Sequence, residues 1–534
     1  MSNQHIGYIV GEVDTGSFIF VSDPENYPPK HEYLLIPDVK EREGIGYKKV
    51  DVLAQVSRIS NYSDILGERL SIQELESIIS RYTATTKVYG EAKILGYLNE
   101  KNEVLVPRSA AIPGQKVYIA PSNLLENFFT KDIRSGISVG SLITRDEVNV
   151  SIDPNGFRRH AAVIAQTGAG KSYLVGLILE KLLPLGATII VLDPNSDYVM
   201  MRKKTDGTLT EISNDVTVYR PPGMQGRRFT DEEIGGAEPY TIDFSRLNTN
   251  QVCDVAGISS RWAVIREAVS DALSQLHGVY GPQQLIDTLE RISLNPAVDK
   301  RKAKAASNAT TYVKRLVNYK IWGSSDIPLV DLTRPKRLSV IDLAGLQRNV
   351  SEYIVQKTLD DIWGEAISGK LRYPIFVVLE EAHNFAPGAG TSQRGGNSLG
   401  IVERIAAEGR KFGIFLLVVT QRPNKISSNV LSQCNSQIIM RLTNPEDMSA
   451  VRRSSEGLSE DLFQDLPGLN KGEAVVVGEL TKVPTMIKIC GRKSKEGGSD
   501  IDLDNALERA LEEYKISKEM EAPRVKKKEP KSKW

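Results

Sequence analysis

The sequence predicts an α/β chain whose core is a sheet of buried parallel strands, with a small β-barrel ahead of it and a helical bundle inserted into it. Three observations carry this expectation. Continuous apolar runs recur at Ala187–Leu192, Leu338–Leu343, Ile375–Leu379 and Ile414–Thr420, and such runs suit strands covered on both faces. Residues 6–120 hold short β-branched and aromatic segments separated by Gly, Pro, Asp or Asn, the pattern of a small closed barrel. Between residues 250 and 325 apolar side chains recur at helical spacing with no strand between them.

A chain of 534 residues exceeds one ordinary domain. The expected limits are 1–125 for the barrel, 126–250 and 331–495 for the two parts of the core, 251–330 for the insertion, and 496–534 for a last helix and basic tail. The 40% hydrophobic and 25% charged residues match a soluble globular protein. A net charge of +1 gives no global attraction to nucleic acid, so any such contact must come from local basic surface. Cys253, Cys434 and Cys490 are odd in number and scattered. They form no disulfide framework or metal pattern and suit a reducing cytoplasm. No signal peptide is expected, since Met1–His5 lacks a basic and an apolar region, and no apolar run is long enough to cross a membrane.

Taken in order, Ile6–Val10, Ser17–Val21, Tyr33–Ile36, Val50–Val56, Lys93–Leu98, Glu103–Val106 and Gln115–Ala120 are the barrel strands. The polar stretch 61–87 is a helical or irregular excursion. Residues 121–160 are a junction. A strand at Val163 then enters Ala165-Gln-Thr-Gly-Ala-Gly-Lys-Ser172, and a helix follows at Tyr173–Leu183. Glycines at 168 and 170 let backbone N–H groups turn inward around an anion, and the helix adds its positive end. Lys171 reaches the β/γ-phosphates of a nucleotide and Ser172 places its hydroxyl on Mg²⁺. Thr167, Gly168, Ala169, Gly170, Lys171, Ser172 and Tyr173 are therefore the expected ATP-binding residues. Ala165 stands where the strict loop pattern has glycine.

Trp262, Ile265, Val269, Leu273 and Leu276, then Leu285, Leu289 and Ile292, then Tyr312, Leu316 and Tyr319 mark the helices of the insertion. Trp262 and Trp322 are expected in its core, and Lys300–Lys304 at a solvated helix end. After Leu338–Leu343 a long amphipathic helix runs through Tyr353, Leu359, Ile362 and Ile367. Ile375–Leu379 then ends in Glu380 and Glu381. Two carboxylates at the tip of a buried strand fit a metal shell, here Glu380 with Ser172, and a base for the attacking water, here Glu381. Residues 386–400 form a Gly-, Ser- and Asn-rich loop. The strand Ile414–Thr420 ends in Gln421, placed to bond the γ-phosphate or the water. Arg410 and Lys411 end the preceding helix. They either complement its dipole or supply charge to a neighbouring subunit's nucleotide. Arg158 and Arg159 precede the loop strand, as linker charges or as reach to phosphate. Strands at Ala474–Val477 and Met486–Cys490, a helix through Leu503–Tyr514 and the basic Arg524–Trp534 tail close the chain.

The series Thr167–Ser172, Leu192–Asp197, Leu379–His383, Glu408–Gly413 and Thr420–Pro423 resembles the HerA family of the FtsK–HerA class. The resemblance implies a RecA-like P-loop ATPase core, an N-terminal β-barrel of the HAS-barrel kind and a helical-bundle insertion. It implies a homohexamer threading double-stranded DNA, partnered by a NurA-type nuclease in DNA-end resection. It makes Arg410 an arginine finger acting in trans, Arg159 a second arginine near the phosphates, and Gln421 the sensor. Arg394, Arg422 and Lys425 are candidate DNA contacts in the pore. Asn195 departs from the family's usual histidine. Two other readings compete: a conjugation- or secretion-type ATPase moving protein or single-stranded DNA, and an ATP-assembled ring platform recruiting an effector in phage defence.

Overall fold

Strands β1 (His5–Val13), β2 (Ser17–Ser22), β3 (Tyr33–Glu43), β4 (Gly46–Ser63), β5 (Thr86–Leu98), β6 (Val104–Leu105) and β7 (Lys116–Ile119) open the chain. The computed structural model describes residues 4–44, 46–66, 70–81, 86–130, 136–222, 228–388, 398–498 and 503–521. The first sheet runs β2-β1-β7-β3-β4-β5-β6, and β2 also pairs with β5, which closes the barrel. Alternate side chains such as Phe18 and Phe20 fill its interior with Ile36, Val52 and Val117. Gly90 is needed there, since a Cβ would meet the Phe20 ring at 2.1 Å. Helix α1 (Ile72–Arg81) lies in the connection between β4 and β5, the expected excursion.

Helix α2 (Ser122–Phe129) buries Leu125, Phe128 and Phe129, and Phe129 meets Tyr33 of the barrel edge-on at 5.0 Å. The stretch read as a junction also holds a hairpin, β8 (Ile137–Leu142) and β9 (Arg145–Ile152), that extends the core sheet through its last strand. Its strand pattern is masked by Ser138, Gly140 and Ser141. Gly140 packs so close that a Cβ would meet the Lys488 carbonyl oxygen at 2.1 Å.

The core continues with β10 (Ala161–Ile164), α3 (Lys171–Leu182), β11 (Thr188–Asp193), β12 (Val216–Arg220), α4 (Asp231–Ile234), β13 (Glu238–Pro239) and β14 (Ile242–Asp243). The insertion brings α5 (Thr249–Ala256), α6 (Ala263–Leu273), α7 (Pro282–Leu294) and α8 (Lys300–Val313), then β15 (Trp322–Gly323) and α9 (Leu329–Leu332). Next come β16 (Arg337–Asp342), α10 (Arg348–Ile367), β17 (Ile375–Leu379), α11 (Leu399–Glu408), β18 (Ile414–Thr420), α12 (Ser428–Leu431) and β19 (Ser436–Met440). Helices α13 (Pro445–Ser454) and α14 (Glu460–Asp465), strands β20 (Glu473–Val477) and β21 (Thr485–Ile489), and α15 (Leu503–Glu521) finish it.

The core sheet has 12 strands in the order β13-β12-β16-β11-β17-β18-β10-β19-β20-β21-β8-β9. Pairing is parallel from β13 to β19 and antiparallel beyond it. β19, directly beside the loop strand β10, has no expected counterpart in the sequence reading: Ser436 and Gln437 break its apolar run, and both are buried because Ser436 Oγ donates to the Gly156 carbonyl and Gln437 Nε2 to that of Ser454.

Leu285, Leu289, Ala306, Ala309 and Val313 pack the insertion. Trp262 is not in that core: it is 41% exposed at the start of α6, with its ring tilted on Tyr312. Trp322 is half-buried in the two-stranded β14–β15 sheet, its Nε1 bonded to the Leu316 carbonyl. Its indole therefore edges the bundle. Lys300–Lys304 opens α8, where the Asp299 carboxylate accepts the Arg301 and Lys302 N–H groups. The three cysteines are free thiols, and no described helix is long and apolar enough to cross a membrane.

Candidate nucleotide site

Strands β16, β11, β17, β18 and β10 are consecutive neighbours, and their parallel register brings their C-terminal ends to one level. Ile164 lies beside Thr420, Val418 beside Leu379, Leu379 beside Leu192, and Asp193 beside Asp342. The residues just past these ends therefore converge where open α/β sheets bind ligands.

The loop after β10 shows why alanine serves at 165. Its N–H donates to the Thr420 carbonyl at 3.2 Å, so Ala165 prolongs the strand ladder, with no left-handed backbone angle. The turn falls on Gly168 (φ 79°) and Gly170 (φ 105°), where L side chains are strained. Nothing lies within 4 Å of where a Gly168 Cβ would stand, so that face of the loop is open. Gly170 begins α3 without a side-chain cap, which leaves the first-turn N–H groups available to an anion. Ala169 is buried, and Tyr173 turns its hydroxyl to the Arg492 N–H.

Lys171 is 5% exposed and bonds both Glu380 and Glu381, the latter at 2.9 Å. Burial draws its pKa down, but the two carboxylates outweigh this and hold it above the ordinary lysine value. Burial, with Asp197 adding, pushes Glu380 up against the pull of Lys171. Glu381 goes the other way: burial would raise it, but His383 and Lys171 hold it down at about 2. Its backbone is left-handed (φ 48°), a strained turn that aims the carboxylate at the loop. Gln421 Nε2 donates to Glu381 Oε1, and the Thr167 hydroxyl donates to Gln421 Oε1. Ser172 Oγ donates to Asp197 Oδ2 at 2.8 Å.

Arg410 and Arg159 are elsewhere in the chain. Arg410 is exposed in the turn before β18, seven strand residues and about 20 Å from the end that carries Gln421. Arg159 ends the turn before β10, so the four-residue strand, roughly 13 Å, separates it from its own loop, and its Nε pairs with Glu479 at 3.2 Å. The sequence reading places Arg158 and Arg159 at the rim of the nucleotide cleft. Within one chain they lie at the opposite end of the sheet, because they enter the strand that the loop leaves. Arg422 is exposed beside Gln421, Lys425 is half-buried in the next turn, and Arg394 falls outside the described residues.

Four further side chains complete the site. Tyr198 OH donates to Glu380 Oε2 at 2.5 Å, His383 Nδ1 stands 3.2 Å from Glu381 Oε2, and Asp197 and Arg492 flank Ser172. Asp197 and Tyr198 are legible in the turn after β11. Arg492, 320 residues beyond Ser172, carries no sequence signal.

The residues fit a nucleotide with a divalent cation. The loop glycines leave room above the N–H groups, and the buried Glu381 carboxylate faces that loop with Lys171 and His383 beside it. No cluster of three or more His, Cys, Asp or Glu among the described residues can hold a metal by itself. A Mg²⁺ site built from one or two protein groups plus phosphate oxygens has this composition.

A phosphate loop, paired acids and a polar strand tip on a parallel sheet, behind a closed barrel, define a RecA-like P-loop ATPase. Residues 137–362 match the family "Helicase HerA, central domain" and residues 6–100 match "HAS barrel domain". The chain is thus similar to HerA helicases across its central core. It is 29% identical to the DNA double-strand break repair helicase HerA of Pyrococcus furiosus over 92% of this chain and 93% of that protein. It is 27% identical to the protein of the same name from Saccharolobus solfataricus over 96% of this chain and 97% of that one. Among solved structures, VirB4 of Thermoanaerobacter pseudethanolicus aligns at a TM-score of 0.49 and 15% identity, over 68% of this chain and 98% of that chain.

Proposed function

We propose that the chain is an ATP-hydrolysing translocase and helicase that acts on double-stranded DNA as a cytoplasmic homohexameric ring, with a NurA-type nuclease as its partner in end resection and break repair. The observation that carries this is the split of the machinery between the two ends of one sheet: Lys171, Ser172, Glu380, Glu381 and Gln421 at one end, Arg410 at the other. As an arginine finger, Arg410 would serve a neighbour's nucleotide because it cannot reach its own, and a head-to-tail contact whose rotation closes gives a ring. The DNA substrate is supported by relatives over nine-tenths of the chain that are named as break-repair helicases. The domain limits at residues 125, 250, 330 and 495 belong to the same reading.

Bound ATP with Mg²⁺ supplies the transferable phosphoryl group and neutralises its charge. The loop N–H groups and Lys171 would bind the phosphates, and Ser172 and Glu380 would hold the metal. Glu381, kept ionised, accepts the proton of the attacking water, and Gln421 orients that water. Arg410 of the next protomer stabilises the charge of the transition state. Arg394, Arg422 and Lys425 grip DNA phosphates without reading bases, so affinity falls with salt.

Steady-state ATPase measured with and without blunt duplex tests the reading. Duplex should stimulate wild type, and Lys171→Ala should abolish both rates. Absence of stimulation by duplex, with stimulation by single strands or a protein substrate, would assign the chain to the conjugation-type alternative.

A further inference from the structure

Gly176 stands in the middle of α3, where glycine is unfavourable, and a Cβ there would meet the Arg492 guanidinium at 2.2 Å. The guanidinium fills the notch that the missing side chain leaves. Its three nitrogens are all used: Nη1 donates to the Ser172 carbonyl at 3.1 Å, Nε to Ser494 Oγ at 2.8 Å and Nη2 to the Lys495 carbonyl at 3.1 Å. The Arg492 N–H donates to Tyr173 OH at 2.6 Å. One arginine thus holds two consecutive residues of the phosphate-loop helix.

The rest of the segment is tied to the same chain. Glu180, one turn further along α3, accepts the N–H groups of Lys493 and Ser494. The Lys495 N–H donates to the Lys203 carbonyl and the Gly497 N–H to the Asp197 carbonyl. Gly498 lies against the Asp197 carboxylate, where a Cβ would come within 1.8 Å of Oδ1. Since Asp197 Oδ2 accepts the Ser172 hydroxyl, the strap 492–498 grips Ser172 twice: through its carbonyl by Arg492, and through its hydroxyl by Asp197.

We propose that Arg492 is a positioning residue for the nucleotide site, and that the Arg492–Gly176 lock makes the affinity of the phosphate loop for MgATP depend on the C-terminal strap. The inference rests on ATP binding at Lys171 and Ser172. Burial of a guanidinium against backbone carbonyls is worth its desolvation only if the geometry it fixes is kept. The carbonyl it holds belongs to the residue whose hydroxyl is assigned to the metal.

The test is equilibrium titration of a fluorescent ATP analogue, with Mg²⁺, into the full chain and its Arg492→Gln, Arg492→Lys, Gly176→Ala and Lys171→Ala variants. Loss of one charge-assisted hydrogen bond corresponds to about tenfold, so Arg492→Gln and Gly176→Ala should each weaken binding by about that factor. The double variant should be no weaker than either single one, because both remove the same contact. Arg492→Lys, which keeps one donor for the Ser172 carbonyl, should recover part of the loss. Wild-type affinity in Arg492→Gln, with binding lost in Lys171→Ala, overturns the proposal and leaves the nucleotide site standing. So does a double variant whose loss is the product of the single losses. Equal binding by wild type and Lys171→Ala overturns the nucleotide site and the proposal together. Should Arg492→Gln not fold, Gly176→Ala and Arg492→Lys decide the matter by the same readout.

Discussion

Gln421 Nε2 donates to Glu381 Oε1 at 2.7 Å, so the tip of β18 is latched to the tip of β17. Glu381 needs that support. Its backbone is left-handed, and hydrogen bonds from His383 and Lys171, with the Lys171 charge, hold its pKa down at about 2 against burial. A neutral isostere keeps the shape and removes the base. Glu381→Gln is therefore expected to bind ATP within a few-fold of wild type while turnover falls about 10²–10⁴-fold. Nucleotide titration beside single-turnover phosphate release checks this, and turnover near the wild-type rate would remove Glu381 from the base role.

Gln421 acts through position, not charge. Removing its amide takes one hydrogen bond from Glu381 and releases the Thr167 hydroxyl. Gln421→Ala should lower kcat by about 10²-fold and leave KM for ATP within a few-fold, the signature of a contact that strengthens in the transition state. A rise in KM with unchanged kcat would instead make Gln421 a ground-state binding residue.

The parts of this molecule that were legible in the sequence are those whose chemistry is local. Ala165–Ser172, Glu380–Glu381 and Gln421 each sit at the end of an apolar run, and a buried strand followed by a polar tip is visible without tertiary knowledge. What stayed hidden depends on partners far along the chain. β19 is buried with Ser436 and Gln437 inside it, and only the Gly156 and Ser454 carbonyls make those residues acceptable there. In the β8–β9 hairpin, Gly140 interrupts the apolar pattern because the Lys488 carbonyl of β21 packs where its side chain would be. Arg492 reads as one more basic residue near the C-terminus until Gly176 is seen beneath it. Trp262 differs from the expectation for another reason: it shares the helical spacing of α6 but stands just before the helix begins, which leaves it at the rim.

Arg410 lies at the far end of β18 from Gln421, which turns the trans assignment into a complementation experiment. Arg410→Ala should bind ATP normally and lose about 10³–10⁵-fold in kcat. Lys171→Ala should be inactive as well. Rings assembled from a mixture of the two contain some interfaces with an intact Lys171 facing an intact Arg410, and those should hydrolyse ATP. Recovered activity that follows the statistics of mixing supports composite sites. No recovery from rings shown to be mixed would place the finger within one chain.

His160 links the same end of the sheet to pH. It is 2% exposed, its Nδ1 accepts the Leu416 N–H at 2.9 Å, and burial, with the Arg410 charge adding, pushes its pKa from 6.5 down to about 4. Between these values the unfolded chain binds a proton that the folded one refuses, so stability rises with pH across the window. The contribution is complete above 6.5 and is lost as pH falls toward 4, by roughly 3 kcal/mol for a shift of this size. Carboxylates titrate in the same range, so the informative quantity is a difference. His160→Asn keeps an acceptor for the Leu416 N–H but cannot take the proton. Its denaturation midpoint should fall less steeply than that of wild type between pH 7 and pH 4, and the two should converge as the pH is lowered. Parallel pH profiles for the two proteins would show that His160 is protonated equally in the folded and unfolded chains.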